Sequence, residues 1–223
     1  LRSGVPNAIR VFKEMREGGV TMFLAVPMLY NKLISSMMKG VKEKGPFVNG
    51  LIHAMMGFSG FFKKVFKINI GKKMFGFLLK KVSLDKNRIC ISGGGPLPAS
   101  TFKQFNQLGI DFVQGYGLTE TSPIITLNPI FDYEETSIGK CLPNMEIEFR
   151  DKDEHGNGEI CVRGVNVMQG YYKNPEATAE IIDKDGWLRT GDIGYRDDRG
   201  FVYLTGRAKN IIVTEGGKNV FPE

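Results

Sequence analysis

Apolar and polar positions in the first eighty residues follow helical and strand periods in turn. From residue 8 to residue 15 the apolar side chains recur at the spacing of one helix face, which predicts an amphipathic helix. The apolar run 20–26 predicts a buried strand, and the pattern over 28–39 predicts a second helix. Residues 40–81 mix Phe, Met, Leu and Lys with scattered glycines, which predicts a set of short helices.

Two short apolar strands with a helix between them are predicted in the middle of the chain. The strand 88–92 runs into Gly93, Gly94, Gly95 and Pro96, and the strand 110–114 runs into a turn at 115–117. This order predicts a β-α-β unit with a glycine turn after each strand. Ligand sites in such sheets form at the carboxyl ends of the strands.

The pattern changes after about residue 125, where strands become short and turn-rich joints separate them. Three such strands are predicted, at 146–150, 159–163 and 201–205. Asn174 is a good N-cap and Pro175 suits the first position of a helix. We therefore predict an α/β fold class, with an α/β part over 1–125 and a small antiparallel β part over 126–206.

Positive charge is concentrated in one stretch of a chain whose net charge is +6. Residues 32–81 contain 11 Lys and one acidic residue, so this Lys-rich region carries +10. Helices with a solvated lysine face explain it, as does a basic aromatic surface that contacts anionic lipid. Nucleic acid is disfavoured as a partner, because no nucleic-acid-binding motif accompanies the charge.

The cysteines and the apolar runs favour a cytoplasmic protein, with peripheral membrane contact through the Lys-rich region as the alternative. The three cysteines are far apart and without metal-ligand spacing, at Cys90, Cys141 and Cys161. The longest weakly polar run, 51–62, is too short to span a bilayer. The chain begins at Leu1 without an initiator Met and ends at Glu223 in a strand-forming region, which suggests a cut at each end.

The segment QGYGLTETSP, 114–123, combines residue types that suit a nucleotide. Glycines at 115 and 117 allow a close approach of the backbone to a ligand, and the Tyr116 ring between them can lie on a planar base. The Thr119 hydroxyl can bond a phosphate oxygen, and the Glu120 carboxylate can bind Mg²⁺. A tight turn with a surface acid explains the same residues.

Two later positions suit a sugar. Asp192 follows Thr190 and Gly191 at a predicted strand end, where a carboxylate can accept hydrogen bonds from two vicinal hydroxyls. Arg207 presents a rigid donor fork to ribose or phosphate oxygens. Ordinary surface turns are the alternative at both places.

Five motifs in order resemble the adenylate-forming superfamily of acyl-CoA synthetases, adenylation domains and luciferases. They are GGGPLPAS, QGYGLTETSP, GEICVRGVNVMQGYY, GWLRTGD and GRAKNIIVTEGGKNVFPE. The form IVTEGGKNVFPE and the basic helical region are similar to the long-chain fatty-acyl-CoA synthetases. The resemblance runs from about residue 90 to the end of the chain, with a weaker match over 21–30.

The resemblance implies a role for each matching residue. The turn Gly93, Gly94, Gly95 and Pro96 would wall the adenine pocket, and Gln114, Gly115 and Gly117 would flank the nucleotide. Tyr116 would stack on adenine, Thr119 would contact phosphate and Glu120 would bind magnesium. Asp192 and Arg207 would hold the ribose. Lys209 would be the hinge of a further domain that begins within 207–223. Tyr30 falls where some members have an aromatic gate to the fatty-acid tunnel, although a core position explains it as well.

The reaction implied is the ATP-dependent activation of a fatty acid as acyl-AMP, followed by transfer to CoA, with Mg²⁺ as the metal. The family also uses a Ser/Thr/Gly-rich phosphate loop and a catalytic lysine in a C-terminal domain, and neither is found in these 223 residues. The chain is therefore expected to be a piece of such a ligase that is nearly inactive alone. An acyl-ACP ligase, another adenylate-forming enzyme and a non-catalytic nucleotide- or lipid-binding module are the alternatives.

Overall fold

The computed structural model describes the backbone of residues 8–208, 212–213 and 219–220, and the side chains of 13–208. The chain divides into two compact units. The first consists of Leu1–Gln114 with Ile130–Glu135, and the second of Gly115–Pro129 with Thr136–Glu223. The proposed subdivision at residues 125 and 206 stays a prediction, and Lys209, the predicted hinge, lies outside the described residues.

The first unit combines helices with a short parallel sheet. Its elements are α1 (Ala8–Glu17), β1 (Met22–Ala25), α2 (Pro27–Lys42), α3 (Pro46–Phe66), α4 (Gly71–Met74), α5 (Gly76–Lys81), β2 (Ile89–Ser92), α6 (Ala99–Gln107) and most of β3 (Asp111–Gly117). The strand β2 pairs in parallel with both β1 and β3. The α/β class and the β-α-β unit predicted from the sequence are thereby confirmed.

One long helix replaces part of the predicted run of short ones over 40–81. The helix α3 spans 21 residues and continues through Gly50, Gly57 and Gly60. At Gly60 an added Cβ would lie 2.8 Å from Cγ of Gln107 on α6, so the glycine allows these helices to approach closely. At Gly60, packing against α6 therefore offsets the low helix propensity of glycine.

The core of the first unit contains a cluster of aromatic rings. Tyr30 is fully buried there, and its ring centroid lies 4.7 Å from that of Phe112 and 5.5 Å from that of Phe105. The Tyr30 hydroxyl oxygen lies 2.7 Å from the carbonyl oxygen of Phe23 and 3.2 Å from that of Ile91. Tyr30 thus contributes to the packing between α2 and the sheet, and its role as a substrate gate stays a prediction.

The second unit is mainly an antiparallel sheet. Its elements are the end of β3, a 3-10 turn (Thr119–Thr121), β4 (Ile124–Leu127), β5 (Gly139–Cys141), β6 (Met145–Arg150), β7 (Gly158–Gly164), α7 (Pro175–Ile181), β8 (Leu188–Arg196), β9 (Phe201–Arg207), β10 (Ile212–Val213) and β11 (Asn219–Val220). The strand order is β3-β4-β5-β9-β8-β7-β6, and β10 pairs separately with β11. The predicted antiparallel strands are confirmed as β6, β7 and β9, and Asn174 caps α7 as expected.

The predicted glycine turn at 115–117 is wrong, because β3 continues through it. Gly115 pairs with Leu127 and Tyr116 with Thr126 in an antiparallel ladder with β4. An added Cβ at Gly117 would lie 1.7 Å from the carbonyl oxygen of Pro123. The close approach that these glycines allow is therefore an approach of the neighbouring chain segment that leads into β4.

Candidate nucleotide site

Asp192 lies inside a strand of the second unit. The prediction placed it after a turn at a strand end, but β8 runs from Leu188 to Arg196 and pairs Asp192 with Arg207 on β9. The backbone is irregular at this point, because Gly191 has φ +74° and the register shifts between Ile193 and Gly194. The pairing of β8 with β9 brings two of the sequence-predicted site residues side by side.

Two predicted residues, Tyr116 and Arg207, meet at the carboxylate of a third, Asp192. The Tyr116 hydroxyl donates to Asp192 Oδ2 at 2.6 Å, and Arg207 Nε lies 3.1 Å from Asp192 Oδ1. The Thr190 hydroxyl oxygen accepts from the backbone N–H of Asp192 at 3.1 Å, which fixes the backbone next to the carboxylate. Tyr116 and Asp192, which are 76 positions apart in the chain, are thus joined by a direct hydrogen bond.

The two side chains of this ion pair differ in their exposure to solvent. The Asp192 side chain is only 7% exposed, whereas that of Arg207 is 64% exposed. Burial, followed by the Asp192 charge, raises the pKa of Tyr116 above its ordinary value, so the hydroxyl stays protonated and donates a hydrogen bond to Asp192. A carboxylate has about four lone-pair sites. Two donors at Asp192 therefore leave acceptor capacity that suits the vicinal hydroxyls of a ribose.

Thr119 and Glu120 lie on the 3-10 turn that links β3 to β4. Thr119 is exposed and Glu120 is half-buried. The turn is fastened from inside by Thr121, whose buried hydroxyl lies 2.6 Å from the carbonyl oxygen of Pro123 and 3.0 Å from the backbone nitrogen of Leu118. The turn thus carries Thr119 and Glu120 as consecutive residues, on a backbone that Thr121 holds.

The donor set on this turn fits Mg²⁺ in the way that nucleotide enzymes bind it. Magnesium keeps several waters and takes one or two carboxylates together with substrate phosphates. Within the described part of the chain, no group of three or more His, Cys, Asp and Glu side chains is placed to hold a metal. Glu120 as a single carboxylate ligand agrees with such an arrangement, in which a nucleotide would supply the remaining oxygens.

Glu120 has a further neighbour that the sequence did not single out. The Tyr171 hydroxyl donates to Glu120 Oε1 at 2.8 Å, and the backbone N–H of Met168 donates to the Glu120 carbonyl oxygen at 2.8 Å. Tyr171 belongs to one of the motifs quoted above, GEICVRGVNVMQGYY, but no role followed from the motif. Tyr171 and Glu120 are 51 positions apart in the chain, and no local pattern in the sequence indicates that they are in contact.

The remaining predicted nucleotide residues belong to the first unit. The segment Gly93 to Pro96 follows β2 and is exposed except at Gly93, and Gly94 has φ +80°, a conformation that favours glycine. Gln114 is buried and pairs with Ser92 between β3 and β2. The segment 93–96 lies at the carboxyl end of β2, as predicted, whereas Gln114 lies inside β3 where its parallel pairing with β2 ends. The roles of these residues toward a nucleotide stay predictions.

Comparison with known proteins gives one family match and many relatives. The family described as AMP-binding enzyme matches residues 2–172. A Gallus gallus protein named long-chain-fatty-acid–CoA ligase ACSBG2 is 32% identical over 97% of this chain and 30% of its own length. The Mycobacterium bovis long-chain-fatty-acid–CoA ligase FadD15 is 42% identical over 60% of this chain and 22% of its own length. The chain thus spans about a third or less of the relatives that it matches.

Solved structures also match nearly the whole of this chain while covering little more than a third of their own length. The o-succinylbenzoate CoA synthetase MenE of Bacillus subtilis, in complex with an acyl-adenylate intermediate, matches with a TM-score of 0.69 at 26% identity. The match covers 97% of this chain and 37% of that one. The ATP-bound MatB of Rhodopseudomonas palustris matches with a TM-score of 0.66 at 28% identity, over 97% of this chain and 36% of that one.

Proposed function

Because the chain belongs to the AMP-binding enzyme family, we propose that it supplies the adenosine- and magnesium-binding part of an ATP-dependent long-chain fatty-acid–CoA ligase. The observation that carries this proposal is the meeting of Tyr116 and Arg207 at the Asp192 carboxylate. The names of the similar ligases from Gallus gallus and Mycobacterium bovis support a long-chain fatty acid as substrate and CoA as acceptor.

In the proposed reaction a fatty-acid carboxylate attacks the α-phosphorus of ATP and pyrophosphate leaves. The CoA thiol then attacks the acyl carbon of the acyl-AMP, and AMP leaves. Asp192 would accept hydrogen bonds from the ribose hydroxyls, Arg207 would contact the same sugar and the Tyr116 ring would lie on adenine. The Thr119 hydroxyl would contact phosphate. Magnesium held by Glu120 would neutralise phosphate charge, which is the main requirement of such transfers.

The proposed activity is that of a whole ligase, and these residues alone should turn over very little. No Ser/Thr/Gly-rich phosphate loop occurs in their sequence, and nothing in them matches the catalytic lysine of the family. Without these groups the charge that develops at the phosphates lacks preorganised stabilisation. We therefore expect the chain by itself to bind nucleotide with little thioester formation.

The assay that tests the proposal measures acyl-AMP and thioester formation by the complete ligase that carries this chain. We expect ATP- and Mg²⁺-dependent thioester formation from long-chain fatty acids and CoA, with AMP and pyrophosphate as the other products. Transfer to an acyl carrier protein in preference to CoA would favour an acyl-ACP ligase. Nucleotide binding without any acyl-AMP would favour a non-catalytic module and would contradict the proposal.

We also propose that the chain contacts a membrane surface. The observation that favours this proposal is that α3 has an exposed apolar face as well as a buried one. One face of this helix is buried and includes Ile52 and Met56. Another face is exposed, and its large apolar side chains recur at helical spacing at Phe47, Leu51, Phe58, Phe61 and Val65. An aromatic face of this kind, next to lysines, is typical of helices that lie in a bilayer interface.

The charge of the Lys-rich region suits an anionic bilayer. Nine of its 11 lysines are exposed. Among the described residues, no helix has both the length and the apolar composition needed to cross a membrane. We therefore propose that residues 32–81 contact the surface of a bilayer that contains anionic lipid, with exposed α3 rings at the acyl boundary and lysines at the phosphates.

A vesicle co-sedimentation experiment tests this contact. We expect binding to vesicles that contain phosphatidylserine, weaker binding as salt rises, and weaker binding after Phe58→Ser with Phe61→Ser. The control Phe131→Ser changes an exposed phenylalanine, 39% exposed, outside the Lys-rich region and should have little effect. Failure to bind anionic vesicles at about 0.15 M salt would mean that the lysines form only a solvated face.

A further inference from the structure

Tyr171 lies on a loop whose backbone is held without the help of its own hydroxyl. The Tyr171 N–H donates to Thr178 Oγ1 at 2.9 Å, and the Thr178 hydroxyl donates to the Asn174 carbonyl oxygen at 2.9 Å. The preceding Gly170 has φ +146°, and an added Cβ there would lie 2.9 Å from the Thr178 side chain. The loop is thereby fastened to the first turn of α7.

The same loop is also fastened to the turn that carries Glu120. The backbone N–H of Met168 donates to the Glu120 carbonyl oxygen at 2.8 Å. These two backbone anchors fix the position from which the Tyr171 ring projects, and its hydroxyl reaches Glu120 Oε1 at 2.8 Å.

We propose that Tyr171 is a positioning residue that holds the Glu120 carboxylate in the orientation required to bind Mg²⁺ with a nucleotide. The inference rests on the proposed function, in which Glu120 is the magnesium ligand. A hydroxyl donor on one oxygen of a ligating carboxylate limits its rotation and leaves the other oxygen for the metal. Partners that orient metal ligands in this way affect metal affinity about 10- to 100-fold.

The neighbouring Tyr172 provides a matched control. Its side chain is 88% exposed, and its ring lies 5.3 Å from Lys173 Nζ, a contact that a phenylalanine ring keeps. Tyr171→Phe and Tyr172→Phe therefore remove the same hydroxyl from adjacent positions of one loop. Only the first removes a hydrogen bond to Glu120, while the two backbone anchors of the loop are retained in both.

The experiment measures Mn²⁺ binding in the presence of ATP by electron paramagnetic resonance, in the complete ligase, together with the Mg²⁺ dependence of acyl-AMP formation. We expect Tyr171→Phe to weaken metal affinity about tenfold and to recover activity at high Mg²⁺, whereas Tyr172→Phe should match the wild type. In a Glu120→Gln background, Tyr171→Phe should have no further effect, because its action passes through that carboxylate.

The outcomes distinguish this inference from the function on which it rests. A wild type that binds no metal–nucleotide complex would contradict both. A wild type that binds it, with Tyr171→Phe unchanged or tighter, would contradict only the positioning role. A loss in Tyr171→Phe that persists equally in the Glu120→Gln background, or that high Mg²⁺ does not restore, would show a structural role of the ring and would overturn the proposal.

Discussion

Asp192 is the residue on which the account of the nucleotide site depends. Its carboxylate is buried and is bound by Tyr116 from β3 and by Arg207 from the paired strand β9. These two donors stabilise the buried Asp192 carboxylate, because each of them compensates part of the hydration that the carboxylate loses on burial. Two residues that the sequence places far from Asp192 thus orient the group proposed to recognise the ribose.

Tyr116→Phe tests the part of the tyrosine hydroxyl. The ring is kept, so stacking on adenine should be preserved, but Asp192 loses a donor at 2.6 Å. A hydrogen bond to a charged group contributes about 1.5–3 kcal/mol, so AMP affinity measured by calorimetry should fall about tenfold or more. The control Tyr195→Phe, at an exposed ring on β8, should bind as the wild type does. Equal affinity of Tyr116→Phe and wild type would show that the hydroxyl is dispensable.

Asp183 gives a pH-dependent prediction in the same unit. Arg150 donates to it at 2.8 Å, and this bond, followed by backbone donors, lowers the pKa of Asp183 below its ordinary value. A lowered carboxyl pKa stabilises the fold above the unfolded pKa, and the contribution is lost as pH falls through the folded pKa.

Asp183→Asn should therefore flatten the loss of stability on acidification between roughly pH 5 and pH 3. Urea unfolding can be followed through the fluorescence of Trp187, the one tryptophan of the chain, whose ring lies 5.6 Å from the Arg150 guanidinium. Identical pH profiles of wild type and Asp183→Asn would contradict the stabilising role of this pair.

At the scale of elements, the β3–β4 connection depends on a glycine. An added Cβ at Gly117 would lie 1.7 Å from the Pro123 carbonyl oxygen, so the backbone of one segment would have to move. Gly117→Ala should therefore lower the free energy of unfolding by about 2 kcal/mol or more. Gly50→Ala should instead raise the free energy of unfolding by up to about 1 kcal/mol, because the added Cβ in α3 would meet nothing within 4 Å. Thermal denaturation followed by circular dichroism compares the two, and equal melting temperatures would contradict this explanation.

The helix α3 is fixed to the sheet by a buried lysine. The Lys63 ammonium donates to Asn106 Oδ1 at 2.8 Å, to the Ile110 carbonyl oxygen at 3.1 Å and to Asp111 Oδ1 at 2.7 Å. Desolvation lowers the pKa of Lys63, although Asp111 opposes this change. Lys63 is therefore one member of the Lys-rich region that does not belong to a solvated or lipid-facing surface.

Lys63→Ala should destabilise the first unit by about 3 kcal/mol, because Asp111 and Asn106 would lose their partner. The exposed Lys39 of α2 is the control, and Lys39→Ala should change stability by less than about 0.5 kcal/mol. Urea unfolding followed by far-ultraviolet circular dichroism measures both. A small effect of Lys63→Ala, similar to that of Lys39→Ala, would mean that the three hydrogen bonds are replaced by water.

Elements with clear periodicity were predictable from the sequence, and those with mixed signals were not. The amphipathic helix α1 and the strands β6 and β7 followed from side-chain patterns alone. The strand β8 was predicted only as a strand end beside a turn, because Thr190, Gly191 and Asp192 are typical of turns. In the structure, pairing with β7 and β9 overrides that local preference.

The candidate site shows the same limit. Residue types within one motif indicated Tyr116, Thr119 and Glu120 as binding residues. The contacts of Tyr116 with Asp192 and of Tyr171 with Glu120 join distant parts of the chain, and only the pairing of strands and the loop before α7 bring them together. A pattern within a short window contains no information about such partners.

At the scale of the whole molecule, the two units differ in construction and in proposed contribution. The first has a parallel sheet with helices and carries the Gly93 turn together with the exposed aromatic face of α3. The second has an antiparallel sheet and carries the Asp192 cluster and the Glu120 turn. Since the chain spans 30% of its Gallus gallus relative, catalysis as proposed requires groups beyond those that these 223 residues provide.

Recognition of the ribose of an adenylate by Asp192 of the second unit is the proposal on which the other site assignments depend. Calorimetric titration of the chain with a non-hydrolysable acyl-adenylate analogue, alongside Asp192→Ala, tests it most directly. We expect a dissociation constant on the order of micromolar for the wild type and no measurable binding for the variant, with far-ultraviolet circular dichroism unchanged. Equal binding by both proteins would contradict the assignment of Asp192 and, with it, the proposed site.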